Sequence, residues 1–210
     1  MSRVLLVGVT LLVAALGIEQ RRSGGPVLVA LDGEANVPAF WSGFLLVAAS
    51  AAALAIARVD RRGARWPWWA LAVLLLAMAG DEVFGLHESL ERETGIDWQL
   101  LYLPVMAAGA AAAVGALLRL REHPRLAAGF LVSCGAWGLA QVLEALQWDG
   151  ARQASAYGEM MALEEILEMA GSIGFTLTLL AAGAWLRSRA HARRPEIAPP
   201  GTTVDAAGGS

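Results

Sequence analysis

Carboxylates and a histidine follow directly on an apolar run in the middle of the chain. Asp81 and Glu82 come just after the sequence WWALAVLLLAM, and His87 and Glu88 follow after four further residues. Carboxylate and imidazole groups bind divalent metals such as Zn, Mn or Fe, and they accept protons from water. The spacing therefore indicates a metal site or a proton-transferring site at the end of this apolar run.

Two later apolar runs also carry acids near their ends. Glu144 lies one turn before the end of the fifth run, and the first turns of the sixth hold Glu164, Glu165 and Glu168. Residues three or four positions apart share a helix face, so Glu168 lies on the same side as the other two. An ionised carboxylate near the centre of a bilayer costs about 2.5–3.5 kcal/mol. We therefore expect these acids to face the interior of a helix bundle, compensated by shared protons or a metal cation.

We predict that these side chains converge in one pocket in the outer leaflet. The leading hypothesis is a metal-dependent hydrolase that acts on a lipid or a lipid-linked substrate, with Zn, Mn or Fe as its cofactor. The predicted metal ligands are Asp81, His87, Glu88, Glu144, Glu164 and Glu168. The predicted catalytic residues, as general bases, are Glu82 and Glu165.

Gly85 decides whether the two halves of the motif can meet. On a straight helix, Asp81 and Glu88 lie about 10 Å apart along the axis, which is too far to bind one ion. His87 also points away from Glu82 on such a helix. Glycine readily ends a helix, so we expect Gly85 to let His87 fold back towards the acids.

Simpler interpretations are open for several of these residues. His87 taken alone is typical of an interfacial histidine that caps a helix end. Glu144 and Gln141 can hold neighbouring helices together by hydrogen bonds. A solvated acidic loop accounts for Glu88, Glu91, Glu93 and Asp97. Asp32 and Glu34, in the first predicted outer loop, are weaker candidates for the site.

Two other functions are alternatives to the enzyme. A cation or proton conduit would use the acids as a vestibule, but it needs polar residues that continue to the opposite side. The remaining helix segments are almost entirely apolar, and their few polar residues are Ser42, Ser50, Ser133, Thr176 and Thr178. An accessory subunit would use the acidic face to dock a membrane protein partner. The chain has no basic stripe with interleaved aromatic residues, which excludes nucleic acid as a partner.

The composition indicates the elements that position these residues. Of the 210 residues, 57% are hydrophobic and 17% are charged, which is typical of a polytopic membrane protein in a lipid bilayer. Six apolar runs cover residues 4–18, 40–57, 68–84, 100–118, 126–146 and 160–186. We predict an all-α bundle of six transmembrane helices over residues 1–190, followed by a disordered cytoplasmic tail over residues 191–210.

Arginines indicate the orientation of the bundle, because basic residues concentrate in cytoplasmic loops. One side receives Arg58, Arg61, Arg62, Arg65, Arg119, Arg121, Arg125, Arg187, Arg189, Arg193 and Arg194. The other side receives Arg21, Arg22, Arg92 and Arg152. Both termini are therefore predicted to be cytoplasmic. All 16 basic residues are arginine, a bias common in GC-rich bacteria, so we expect the inner membrane of a bacterium.

Tryptophans and small residues add details to this prediction. Tryptophan collects at membrane–water interfaces. The tryptophans expected at the inner interface are Trp66, Trp68, Trp69 and Trp185, and those expected at the outer interface are Trp41, Trp98 and Trp148, with Tyr102 nearby. Small residues over 107–113 and at Gly115 predict a close helix contact. Pro67 is expected to begin the third helix, where its missing N–H costs least.

The acidic motifs resemble those of a family of uncharacterised bacterial polytopic membrane proteins. The shared features are Asp81-Glu82 with His87-Glu88 on one helix, and Glu164-Glu165 with Glu168 on the last helix. Glu34, Pro38 and Trp41 are also similar, and the resemblance extends over residues 32–180. The family often has Ser-Leu before Asp-Glu, where this chain has Ala79-Gly80. The resemblance supports the site but implies no particular chemistry.

Overall fold

The computed structural model of the protein describes residues 2–31, 35–60, 63–149 and 152–192. Seven α-helices occupy most of these residues: α1 (Arg3–Ser23), α2 (Val37–Val59), α3 (Trp66–Phe84), α4 (Leu86–Thr94), α5 (Trp98–Leu120), α6 (Pro124–Leu146) and α7 (Tyr157–Ala192). All except α4 are long and apolar enough to cross a membrane. The predicted all-α fold with six spanning helices is therefore confirmed. The predicted tail lies outside the described residues, apart from its first two residues, which end α7.

Short elements join the long helices. A 3₁₀ turn at Val27–Val29 follows α1, and strands β1 (Trp148–Asp149) and β2 (Arg152–Gln153) pair antiparallel between α6 and α7. The nine-residue helix α4 occupies a segment that we predicted to be an acidic loop, so that prediction was wrong about the backbone. The acids of this segment are exposed, as a solvated segment requires: Glu88, Glu91, Glu93 and Asp97.

Local sequence explains where three of the long helices begin. Asn36 caps α2 by accepting a hydrogen bond from the backbone N–H of Ala39 at 3.0 Å. Asp97 caps α5 in the same way, through the N–H of Gln99 at 2.8 Å. Pro67 lies in the first turn of α3, as predicted. The starting points of these helices are therefore encoded by residues next to them in the chain.

The central helix is α2, which packs against α3 and α7. Buried hydroxyl groups bond across both contacts. Ser50 Oγ donates to the carbonyl of Ala72 in α3 at 2.7 Å, and Thr176 Oγ1 of α7 donates to the carbonyl of Leu45 at 2.6 Å. Such bonds hold apolar helices in register. Polar residues in the apolar halves of these helices thus serve helix packing.

Small residues bring α5 close to α3. A Cβ atom added to Gly115 would lie 2.7 Å from Pro67 Cγ, closer than real Cβ contacts allow. The contact face repeats every three or four residues and consists of Gly109, Ala112, Gly115 and Ala116. Ala111 lies outside this face and is exposed. The predicted close helix contact is therefore confirmed, and only part of the small-residue stretch takes part in it.

The two ends of the bundle carry different charged groups in the part of the chain described. The acidic end comprises the last turns of α3, α4, the first turns of α5, the last turn of α6 and the first three turns of α7. The arginine end comprises the start of α3 with the described part of the loop before it, the turn between α5 and α6, and the last turns of α7.

Two tryptophans lie deeper in the bundle than predicted. Trp68 is 0% exposed and donates from Nε1 to Asp60 Oδ2 at 3.0 Å. Trp98 is 8% exposed and donates from Nε1 to Glu144 Oε1 at 2.7 Å. An indole ring can be buried when its N–H finds an acceptor. These two rings are therefore packing elements, whereas other predicted interfacial tryptophans are exposed: Trp66, Trp69 and Trp148.

Candidate functional site

The backbone at Gly85 brings the two halves of the Asp-Glu/His-Glu motif together. Gly85 has φ 55° and ψ 45°, a left-handed conformation that favours glycine, and it ends α3. The next helix, α4, begins at the following residue, Leu86. His87 therefore lies beside Asp81 instead of farther along the same helix, and the predicted break at Gly85 is confirmed.

Asp81 and His87 form a hydrogen-bonded pair. Asp81 Oδ2 lies 2.9 Å from His87 Nδ1, and the backbone N–H of His87 donates to Asp81 Oδ1 at 2.9 Å. The hydroxyl of Tyr102 donates to the same Oδ1 at 3.3 Å. A carboxylate at Nδ1 fixes the orientation of an imidazole ring, as in acid–base sites where Nε2 transfers the proton. The arrangement is thus suited to general acid–base chemistry.

Aromatic side chains of α5 connect this pair to α6. The rings of His87 and Trp98 have centroids 4.9 Å apart, and Tyr102 meets Trp98 edge to face at 5.3 Å. Trp98 in turn bonds to Glu144, as described above. A continuous set of contacts therefore runs from α3 and α4 through α5 to the end of α6.

Glu164 is held by the residue that follows α6. It is 9% exposed, and Gln147 Nε2 donates a hydrogen bond to its Oε2. A buried carboxylate is costly unless it is hydrogen-bonded. Gln147 thus supplies a neutral partner that joins the start of α7 to the end of α6.

Three further carboxylates converge between α3 and α7. Glu82, Glu165 and Glu168 each offer one oxygen, and these three oxygens lie within 4.8 Å of one another. Cation–oxygen distances of about 2.0–2.6 Å allow two ligand oxygens to lie up to about 5 Å apart. The three side chains are therefore spaced so that one divalent cation could contact all of them.

All of the predicted site residues line one cavity of about 1240 Å³ between α3, α4, α5, α6 and α7. They are Asp81, Glu82, His87, Glu88, Glu144, Glu164, Glu165 and Glu168. Glu88 lies on α4 and is exposed, whereas the other seven are buried or partly buried. The structure thus brings together the side chains that the sequence analysis grouped. Apart from Glu88, they form an Asp–His pair, a cluster of three glutamates, and two further carboxylates that accept hydrogen bonds from Trp98 and Gln147.

The same cavity continues into the apolar part of the bundle. Its deeper lining comes from four helices and includes Leu71, Leu74, Met78, Ala113, Cys134 and Phe175. We call this part of the cavity the apolar arm. The cavity therefore has a polar end, formed by the acids, and an apolar end.

Some residues of the site were missed or misplaced by the sequence analysis. Trp98 and Tyr102 were interpreted as membrane-interface residues, although their spacing of four places them on one face of α5. Gln147 was not singled out, and only its position three residues after Glu144 could have drawn attention to it. Asp32 and Glu34, the weaker candidates, lie outside the described residues.

Comparison with known proteins identifies a family. No curated protein and no solved structure matches the chain. A family model described as a domain of unknown function (DUF8692) matches residues 4–182, and so covers all six spanning helices almost completely. This agrees with the predicted membership of an uncharacterised family. The chain therefore belongs to the DUF8692 family, a domain of unknown function.

Proposed function

We propose that the protein is a metal-dependent hydrolase that acts on a lipid or a lipid-linked substrate. The observation that carries this proposal is the convergence of Glu82, Glu165 and Glu168, whose oxygens lie within 4.8 Å of one another in a cavity. These three carboxylates would bind one divalent cation, and of the Zn, Mn and Fe expected from the sequence, Mn suits an all-carboxylate ligand set best. The bound cation would polarise an ester oxygen of the substrate or orient the attacking water.

The Asp81–His87 pair would supply the proton transfers. His87 would take a proton from water as the water oxygen attacks the carbonyl carbon or phosphorus of the ester. The ester bond to the leaving alcohol then breaks, and the proton on His87 passes to that alcohol. Asp81 would hold the imidazole in place through Nδ1, at the observed 2.9 Å. These roles differ from the first assignment, in which Asp81 and His87 were metal ligands and Glu82 and Glu165 were bases.

The surroundings support a lipid substrate over a conduit. A conduit needs polar groups along its whole length, whereas the cavity becomes apolar below the acids. Ser50 and Thr176 use their hydroxyls in bonds between helices. An amphiphile, by contrast, has one polar and one apolar part, like the cavity.

We also propose that the acidic end faces the outside of the cytoplasmic membrane of a bacterium, with both termini in the cytoplasm. The support for this orientation is the excess of arginine at the opposite end. The substrate would then enter from the outer leaflet.

Manganese binding tests the proposed function directly. Detergent-solubilised protein is stripped with EDTA, exchanged into metal-free buffer and titrated with Mn²⁺ while free Mn²⁺ is followed by electron paramagnetic resonance. We expect the wild type to bind one ion per chain. The double variant Glu165→Gln/Glu168→Gln should lose this binding, because glutamine keeps the shape of glutamate but not its charge.

A matched control removes two charges elsewhere. Glu93→Gln/Glu159→Gln changes two exposed glutamates, on α4 and at the start of α7, and should bind Mn²⁺ like the wild type. Melting curves check that all variants are folded. A folded wild type that binds no Mn²⁺, Zn²⁺ or Fe²⁺ would overturn the proposal. It would leave shared protons as the compensation for the acids and would favour an accessory subunit.

A further inference from the structure

The apolar arm extends below the acids along each of the three helices that carry them. On α3 the lining runs from Asp81 back to Leu71, and on α7 it runs from Glu168, the deepest acid of that helix, forward to Phe175. At 1.5 Å per residue, these distances correspond to about 15 Å and 10 Å along the two helices. On α6 the lining runs from Glu144 back to Cys134, about 15 Å. The arm is therefore an apolar pocket about 10–15 Å deep below the acids.

The arm is closed at its deep end. Gly115 of α5 packs directly on Pro67 of α3, and the next residues of the α5 contact face, Ala112 and Ala116, are fully buried. Phe175 is buried and stacks edge to face on Phe130, with ring centroids 5.4 Å apart. The floor of the arm therefore consists of packed side chains of the core.

The size and the lining of the cavity suit one class of ligand. A volume of about 1240 Å³ exceeds the roughly 300–1,000 Å³ of ordinary small-molecule pockets. The side chain of Leu74 offers no hydrogen bond to a polar ligand, and the thioethers of Met78 and Met106 are only weak acceptors. A hydrocarbon chain fits such a surface, because its burial is favourable and needs no polar partner.

We propose that the apolar arm binds one hydrocarbon chain of a lipid whose polar head lies among the acids, and that the floor at Leu71, Ala113 and Phe175 limits the length of chain that can be buried. This inference deepens the proposed function, on whose lipid substrate it depends. Ala110 and Ala113 line the arm on α5. According to this inference, they determine which chain lengths the protein binds. Ala110 lies three residues nearer the acids, which is about 4.5 Å along the helix.

Binding of a chain-length series tests the inference. The probes are monoacyl glycerophosphates with octanoyl, dodecanoyl and hexadecanoyl chains, offered together to the protein in nanodiscs, with EDTA present. Native mass spectrometry of the protein released from the discs gives the ratio of bound species. Each methylene that moves from water into the arm should favour binding about fourfold until the floor is reached, but entry into the disc lipid is favoured by a similar factor. The informative quantity is therefore the dodecanoyl-to-octanoyl ratio of each variant divided by that of the wild type.

Two substitutions shorten the arm by different amounts. Ala110→Phe should remove most of the preference for dodecanoyl over octanoyl, and Ala113→Phe should reduce it less. Ala111→Phe adds the same ring to an exposed residue outside the cavity and should keep the wild-type ratios. Because all proteins are in identical discs, partition of the probes into bulk lipid cancels in the comparison. Ala110 is exposed and lines the cavity, so Ala110→Phe keeps the test usable if Ala113→Phe does not fold.

The results separate this inference from the proposed function. Identical ratios in Ala110→Phe, Ala111→Phe and the wild type would overturn the inference, whatever the result of the Mn²⁺ titration. A shift in Ala110→Phe alone would support it even if no cation binds, because the chain series is measured in EDTA. In that case the arm would belong to a lipid-binding protein without a metal.

Discussion

At each end of the bundle an indole N–H donates a hydrogen bond to a carboxylate, but the surroundings of the two contacts differ. At the arginine end, the indole N–H of Trp68 donates to Asp60 at 3.0 Å. At the acidic end, the indole N–H of Trp98 donates to Glu144 at 2.7 Å. Asp60 is 3% exposed and lies outside the cavity, whereas Glu144 lines it. The Trp68–Asp60 pair is enclosed by protein, whereas the Trp98–Glu144 pair forms part of the cavity wall.

The neighbours of the two pairs explain this difference. At the arginine end, charged side chains hold loops and helix ends together: Arg119 donates to the carbonyl of Ala64 at 2.8 Å, and Arg189 pairs with Glu122. At the acidic end, carboxylates from α3, α6 and α7 line the cavity. Charged side chains at the arginine end therefore join loops to helix ends and stabilise the fold. Carboxylates at the acidic end are costly to bury together, which is expected of a site kept for function.

The largest expected effect follows from removing the carboxylate of the enclosed pair. Asp60→Ala should destabilise the protein by about 1.5–3 kcal/mol, because it leaves the buried N–H of Trp68 without this acceptor. Glu144→Ala should cost less, because water in the cavity can replace its carboxylate at Trp98. Thermal unfolding in detergent measures both. Equal losses of stability in Asp60→Ala and Glu144→Ala would show that the two carboxylates contribute equally to folding.

A second prediction concerns the close contact below the apolar arm. Gly115→Leu should destabilise the fold by about 1–3 kcal/mol, because the added side chain meets the rigid ring of Pro67. Ala111→Leu, one turn away and exposed, should leave the melting temperature nearly unchanged. If both variants melt like the wild type, α3 and α5 do not need the small-residue face.

The third prediction concerns the orientation of the bundle in the membrane, and we expect its cysteine substitutions to leave stability unchanged. In a Cys134→Ala background, a cysteine at Glu93 on α4 should react with a membrane-impermeant maleimide in intact cells. A cysteine at Gly63, in the loop before α3, should react only after the membrane is permeabilised. The opposite pattern would place the acidic site on the cytoplasmic side and reverse the proposed orientation.

The sequence alone was enough to predict the six spanning helices and to group the acids at one end of the bundle. Hydropathy locates six helices because each one needs about 20 apolar residues. Topology then places Glu144 and Glu164 near Asp81, since alternate helix ends share one side of the membrane. These two inferences need no knowledge of which helices touch.

The partners of the acids could not be predicted in this way. Trp98 and Glu144 are 46 residues apart, and Tyr102 and Asp81 are 21 apart, so their contacts depend on the packing of whole helices. The interfacial preference of tryptophan describes depth in the membrane and does not say whether a ring points to lipid or to protein. The backbone of α4 was missed because a nine-residue polar helix is marginal alone and forms through its contacts with α3 and α5.

The length of α7 links the site to the membrane around it. Its 36 residues span about 54 Å, whereas the hydrocarbon core of a bilayer is about 30 Å thick. Even with an ordinary tilt, several turns extend beyond the hydrocarbon, and Glu164 and Glu168 lie within about 17 Å of the first residue of the helix. The uncharged stretch between Glu168 and Arg187, residues 169–186, is about 27 Å long, so these carboxylates lie close to the boundary of the hydrocarbon. In a thick bilayer these carboxylates are drawn into hydrocarbon, and in a thin one they lie among the lipid headgroups, so membrane thickness itself sets the cost of keeping the site ionised.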